Sequence, residues 1–306
     1  MNSHWKLSAL LLGIGLFSSP LAAAEGWQQQ VAQGLGKSGM ELPGGIYRVG
    51  LPRTDLKVKV DGVDIKPGFA LGSWLAFKAM DPSTVMVMGD LVLTSEEVNP
   101  VMKTLLEGGI AITAVHNHLL RGEPMTMYMH VAGHGDPKQL AATLHAALSH
   151  SKTPLDSAGG AATPAAAEAP LDLDTAAIDQ ALGAKGKAAG GVYQVSVPRA
   201  EKLMDAGMDV PPALGTAIAI NFEPTGPGKA AITGDFVLVA KEVLPVMKAL
   251  RTNGIEVTAL HNHMLADEPR LFFMHFWAND DAKKLTQGLK AALAVVNLAK
   301  PERAAQ

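Results

Sequence analysis

One block of this sequence is written twice. "AVHNHLLRGEPMTMYMHVAGHGD" (Ala114–Asp136) returns as "ALHNHMLADEPRLFFMHFWANDD" (Ala259–Asp281). His116 and His261 lie 261 − 116 = 145 positions apart, and so do Asp90 and Asp235, Glu123 and Glu268, and His130 and His275. Upstream, "GGIYRVGLPR" matches "GGVYQVSVPR" at an offset of 146. A duplication this long fixes the architecture before any local propensity is consulted. Two copies do not make a solenoid, so the chain is expected to fold as two related lobes packed as a pseudo-dimer. The expected boundaries are an export signal at 1–24, a first lobe at 25–150, a linker at 151–172 and a second lobe at 173–300. The linker "SKTPLDSAGGAATPAAAEAPLD" is rich in Ala, Pro and Gly and has no periodicity, which predicts a mobile tether.

Each unit has the same plan. A short helix is followed by strands around "IYRVGL", "LGSWLAF" and "VMVMGDLVLT" in the first copy, and "VYQVSV", "LGTAIAINF" and "AAITGDFVLV" in the second. Thr94 and Glu97 then form a capping-box pattern, and Val98, Val101, Met102 and Leu105 repeat at helical spacing up to Gly108-Gly109. Val243, Val246, Met247 and Leu250 repeat that helix, ending at Asn253-Gly254. "IAITAVHNHL" and "TMYMHVAG" predict an antiparallel hairpin, and Asp136-Pro137 open a last helix. The order of elements predicts an α+β fold, each lobe a mostly antiparallel sheet with helices on one face.

Composition narrows the chemistry. The chain has no cysteine, which excludes disulfides, thiolate catalysis and cysteine metal ligands. With 26 basic and 29 acidic residues, no nucleic-acid footprint is expected. Lys6, the apolar run "LSALLLGIGLF" and Ala22-Ala23-Ala24 read as a cleavable export signal. The run is too short to span a bilayer, so a periplasmic or secreted protein without a membrane span or lipid anchor is expected.

The repeated polar block carries the candidate chemistry. Alternation along a strand puts Ile112, Ala114, His116 and His118 on one face, and Val257, Ala259, His261 and His263 on one face of the copy. The hairpin brings His130 or His275 across, with Glu123 or Glu268 at its turn. Two histidines two apart, a third from the next strand and a carboxylate suit a divalent Zn, Cu, Ni or Fe ion. The proposed metal ligands are therefore His116, His118, Glu123 and His130, and separately His261, His263, Glu268 and His275, one pocket per lobe. Asp90 and Asp235, each mid-strand after a glycine where aspartate is disfavoured, are expected to orient the histidines.

Other readings stand beside this one. The histidines fix the core of a structural or partner-binding module, satisfied by backbone carbonyls and by Asn117 or Asn262. Alternatively the chain is a metal-dependent hydrolase. No serine recurs beside the histidines for a Ser-His-Asp triad, and the adjacent H-N-H letters lack the spacing of the HNH nucleases. Met125, Met127 and Met129 are expected to pack in a core, since Phe272 and Met274 stand in the copy. Arg53 and Arg199 are expected in surface ion pairs. Because the first lobe adds His134 and Tyr128 where the second has Asn279 and Phe273, it is expected to hold the tighter metal site. The second, with Phe272, Phe273, Phe276 and Trp277, is expected to be drier.

The blocks "LPRTDLKV", "ALGSWLAF", "MVMGDLVLTSEEVNPVM", "HNHLL" and "MYMHVAGHGDP", with "GVYQVSVPR", "ITGDFVL", "LHNHML" and "PRLFFMHFWA" in the second copy, resemble the LppY/LpqO family of secreted bacterial proteins, a domain of unknown function (1259), from about Trp27 to Leu298. The resemblance implies the fold unit and no activity. Mycobacterial members are described as lipoproteins; this chain departs from them in having no cysteine to lipidate.

Overall fold

The computed structural model describes residues 26–155 and 171–300. The expected export signal and residues 156–170 of the expected linker lie outside these. The first lobe runs α1 (Trp27–Leu35), β1 (Met40–Leu42), β2 (Ile46–Pro52), β3 (Val58–Val60), β4 (Val63–Ile65), α2 (Pro67–Ala70), β5 (Gly72–Ala79), β6 (Val85–Thr94), α3 (Ser95–Glu107), β7 (Ala111–His116), β8 (Gly122–Glu123), β9 (Thr126–Gly135) and α4 (Pro137–Leu148). The second repeats it as α5 (Thr175–Leu182), β10 (Lys187–Ala189), β11 (Val192–Val197), β12 (Met204–Asp205), β13 (Met208–Asp209), a 3₁₀ turn (Pro212–Leu214), β14 (Ile218–Gly226), β15 (Lys229–Val239), α6 (Ala240–Thr252), β16 (Glu256–His261), β17 (Asp267–Glu268), β18 (Leu271–Asp281) and α7 (Ala282–Leu293).

Each lobe holds one six-stranded antiparallel sheet, in the order β1-β2-β5-β6-β9-β7 and β10-β11-β14-β15-β18-β16. Helix α3 carries the chain from β6 past one strand position to β7, and β9 fills the gap, paired antiparallel to both. The repeated block therefore closes the sheet, with its third histidine on the inner strand.

One sheet face follows the expectation. Val49, Leu75, Val87, Leu91 and Met129 pack with Val31, Val101, Leu105 and Leu144 of the lobe's own helices. The other face is covered by the second lobe: Ala76, Met86 and Met88 join a core with Ile218, Ile220 and Phe236. The result is four layers, helix–sheet–sheet–helix. This is why β6 is buried over nearly its whole length and reads as an unbroken apolar run. Each lobe also reaches over its neighbour. Asn221 and Gln194 donate to the carbonyls of Phe69 and Gly68 (3.0 and 2.7 Å), while Arg48 donates to Ala213 O at 3.1 Å.

Several local expectations are met. Helices α3 and α6 end at Gly108 and Asn253, and Asp136 caps α4 by accepting from Gln139 N. Glu97 accepts from Thr94 N at 2.9 Å. The expected surface pairing of Arg53 and Arg199 is wrong. Arg53 is fully buried, donating to both Glu97 oxygens (2.8 and 3.1 Å), to Asp55 and to Val92 O. Arg199 repeats this with Glu242, Glu201 and Val237 O. The arginine ties the segment after β2 or β11 to the N-terminus of the long helix, where a planar fork meets a carboxylate. The linker also starts later than expected. Lys152 N donates to Glu97 Oε1 at 2.8 Å, and Leu155 packs in the first lobe's core.

Removing one partner of such a pair strands a buried charge, at about 3–5 kcal/mol. Glu97→Ala and Glu242→Ala are each expected to lower stability by about 3 kcal/mol in urea denaturation. A loss below about 1 kcal/mol would mean the network is not a structural fixture.

Candidate metal centre between the lobes

Each lobe brings its own three histidines together beside its own aspartate. All six meet at the interface between the two sheets. His116 stacks on His261 with ring centroids 3.5 Å apart. His118 stacks on His275 at 3.7 Å, and His130 on His263 at 3.6 Å. Tyr128 covers His118 at 3.4 Å, and Phe273 covers His263 at 3.4 Å. The rings form three columns, each crossing from one lobe to the other.

A register break aims them there. In β7 Ile112 pairs with Val131, but Ala114 pairs with His130, so Thr113 is an extra residue. Such a bulge re-aims the side chains beyond it. Ile112 therefore packs toward its own helices, whereas Ala114 and His116 share the face of His130 and Tyr128. Ile112 and His116 do not share a face, contrary to the simple alternation. The copy has the same break at Thr258, and the Thr258 hydroxyl donates to His118 O at 2.6 Å.

The Gly-Asp pairs are placed by register. Asp90 lies directly opposite His130, and Asp235 opposite His275. The glycine carbonyl of each pair holds the imidazole: His275 Nδ1 donates to Gly234 O at 2.9 Å, and His130 bonds the Gly89 backbone. That fixes the tautomer and leaves Nε2 with a free lone pair. A Cβ on Gly89 would come within 2.7 Å of the Trp74 carbonyl oxygen, and one on Gly234 would collide with that of Ala219; glycine is required by the close strand.

Nε2 of His116, His118, His130, His261, His263 and His275 is in every case buried with no hydrogen-bond partner among the described residues, and so is Oδ1 of both aspartates. An unsatisfied buried polar atom costs about 1–3 kcal/mol, and eight such atoms facing one another suit a bound cation. Asp90 Oδ2 lies 3.7 Å from His118 Nε2 and its Oδ1 3.9 Å from His130 Nε2. Asp235 repeats the two distances with His263 and His275. These gaps are too long for hydrogen bonds. They suit donors that share an ion, since two ligands each about 2.1 Å from a metal lie roughly 3.4 Å apart at a tetrahedral angle and at most about 4.2 Å apart. Donor atoms of His116, His118 and His130 fall within 4.8 Å of one another, and so do those of His116, His261, His263 and His275. The second group draws on both lobes.

The electrostatics favour a cation. Burial pushes the histidine pKa values down, to about 3 for His116 and about 4 for His261, with neighbouring rings adding to the effect at His116. The rings are neutral and ready to ligate. Burial lifts Asp90 to about 8 against the opposing pull of Arg48, and raises Asp235 as well.

Other candidates stand apart. Glu123 and Glu268 are exposed on β8 and β17, paired to β3 and β12 outside the cluster. The turn between the hairpin strands is used to build a second small sheet and so carries them away. His134 is exposed further along β9. Of the four aromatic residues expected around the second lobe's histidines only Phe273 stacks on one of them; Phe276 packs against Phe236, and Trp277 donates to Asp61. Met129 is buried, but Met125 is exposed.

For the metal-free chain the titration signs oppose. Asp90 contributes most below pH ~4, and its contribution is lost as pH rises to about 8. The histidines contribute fully above pH ~6.5, and this is lost as pH falls toward their depressed values. Six histidines outweigh two aspartates on the acid side. Chelator-treated protein is therefore expected to be most stable near pH ~6.5 in urea denaturation, and Asp90→Asn with Asp235→Asn to flatten the decline toward pH 8. Stability that climbs steadily from there to pH 8 would contradict the buried carboxyls.

The comparisons follow this geometry. Residues 29–150 and 176–295 each match a family described as Domain of Unknown Function (DUF1259). No curated protein matches the chain. Among solved structures, a trimeric bacterial microcompartment shell protein, PduB, is similar at 12% identity and TM-score 0.22, covering 84% of this chain and 89% of that one. EtuB from Clostridium kluyveri is similar at 8% identity and TM-score 0.19, with 84% and 91% covered. Likenesses at this level bear on neither fold nor function.

Proposed function

The chain belongs to the DUF1259 family, and we propose that it is an exported protein that binds divalent transition metal where its two lobes meet. What carries the reading is the six buried Nε2 atoms and two aspartate oxygens that have no other partner. Imidazole with carboxylate suits Zn, Cu, Ni or Fe, and the absence of thiolate removes the soft alternative. Three histidines and one aspartate per ion would give room for two ions, one beside His118, His130 and Asp90 and the other beside His263, His275 and Asp235. His116 and His261 lie between them. In this reading Asp90 and Asp235 are ligands, because they face Nε2 and not the far side of the rings.

The rival account, histidines that only fix a core, leaves those atoms unsatisfied. A metal-dependent hydrolase is favoured by one observation: a cavity between the sheets reaches His118, His130, His263 and His275. Export, read from the first residues alone, would place the centre in the cell envelope.

Elemental analysis of protein purified from the periplasm without an affinity tag tests the reading. One to two equivalents of transition metal are expected, the range set by ligand sets of three or four donors. Metal-free protein that also takes up none of Zn, Co or Cu would sink it. Histidine sets on both lobes make a further demand. His116→Ala with His118→Ala, and His261→Ala with His263→Ala, are expected to lower metal content to a similar extent. Loss confined to one pair would mean that only that lobe's histidine set holds metal.

A further inference from the structure

The cavity above the centre is not symmetric, and the asymmetry points to a ligand. It measures about 550 Å³ and lies between the two sheets. The repeat would set equivalent residues on its two sides, yet Arg48 and Trp74 of the first lobe correspond to Gln194 and Ala219 of the second. Ala219 leaves open the space that an indole occupies on the other side. Arg48 lies over the Trp74 ring, its guanidinium carbon 4.1 Å from the centroid. It gives one described hydrogen bond, from Nη1 to Ala213 O, and it lines the cavity. Lys185 and Lys187 stand exposed among the lining residues and form no ion pair among the described residues. The acidic groups that line the cavity are Asp90 and Asp235, both committed to the centre. Phe69 and Pro67 add apolar wall.

Resting on the metal-centre reading, we infer that this cavity admits a small organic carboxylate, its body against Trp74 and Phe69 and its carboxylate on the Arg48 fork, within reach of the metal. A planar guanidinium held against an indole presents paired N–H donors to a carboxylate. Burial lowers the Arg48 pKa only to about 10, so the charge persists at neutral pH. The lysines at the mouth raise the local concentration of anions, an effect that salt weakens.

Cobalt(II) as the bound metal provides the readout, through its visible d–d bands. Benzoate is expected to shift those bands saturably, with benzamide at least tenfold weaker. Arg48→Gln is expected to weaken benzoate at least tenfold with cobalt content unchanged. Lys185→Ala with Lys187→Ala, exposed and safe for folding, is expected to weaken it two- to fivefold and to reduce its salt dependence. Equal binding of benzoate and benzamide, binding of inorganic phosphate alone, or no response to either organic probe would overturn the inference while leaving the metal centre intact. A chain that takes up no cobalt fails the metal reading instead. Calorimetry of benzoate onto that metal-free chain then decides the carboxylate site alone: Arg48-dependent binding upholds it, and no binding overturns it.

Discussion

Six imidazoles stacked face to face between two sheets coexist because all are neutral, since charging any of them there is costly. That constraint organises the molecule. The stacking columns cross between lobes, so each lobe's three histidines are walled by those of the other. The duplication is then more than two copies on one chain: each copy covers the histidine set of the other. Coordination by a metal would replace eight unsatisfied polar contacts with bonds, converting the costliest part of the interface into its strongest.

The scaffold serves that placement. Crossing from β6 to β7 and returning through β9 puts Asp90, His130 and the HNH strand side by side. The bulge at Thr113 turns the strand end away from the helices, and the glycine before each aspartate lets the strands close while its carbonyl holds the opposing ring. The Arg53 and Arg199 networks lie at the N-termini of the long helices, on Glu97 and Glu242, and share no residue with the histidine sets.

Much of this was legible in the sequence. The repeat gave two lobes, the 3.6 and 2.0 periodicities gave the helices and strands, and aspartate in a strand flagged the position opposite the third histidine of each set. Four things were hidden. A one-residue bulge leaves no compositional mark, so the faces of Ile112 and His116 were misjudged. Contacts between lobes leave no periodic signal, so the stacking of one histidine set on the other was not foreseen. Glu123 sits close to the histidines in sequence, but the segment after His118 departs to pair with β3; proximity along a chain says little where the chain changes sheets. Arg53 looked like a surface charge because nothing local shows that Glu97 and Asp55 come to meet it.

Anomalous diffraction from crystals of the metal-loaded chain decides whether metal sits where the two lobes meet. Anomalous peaks are expected at the lobe interface, about 2.1 Å from histidine Nε2 atoms and in contact with Asp90 or Asp235, with rings of both lobes stacked around them. Peaks at exposed Glu123, Glu268 or His134, or none at the interface in crystals grown with metal, would contradict that placement.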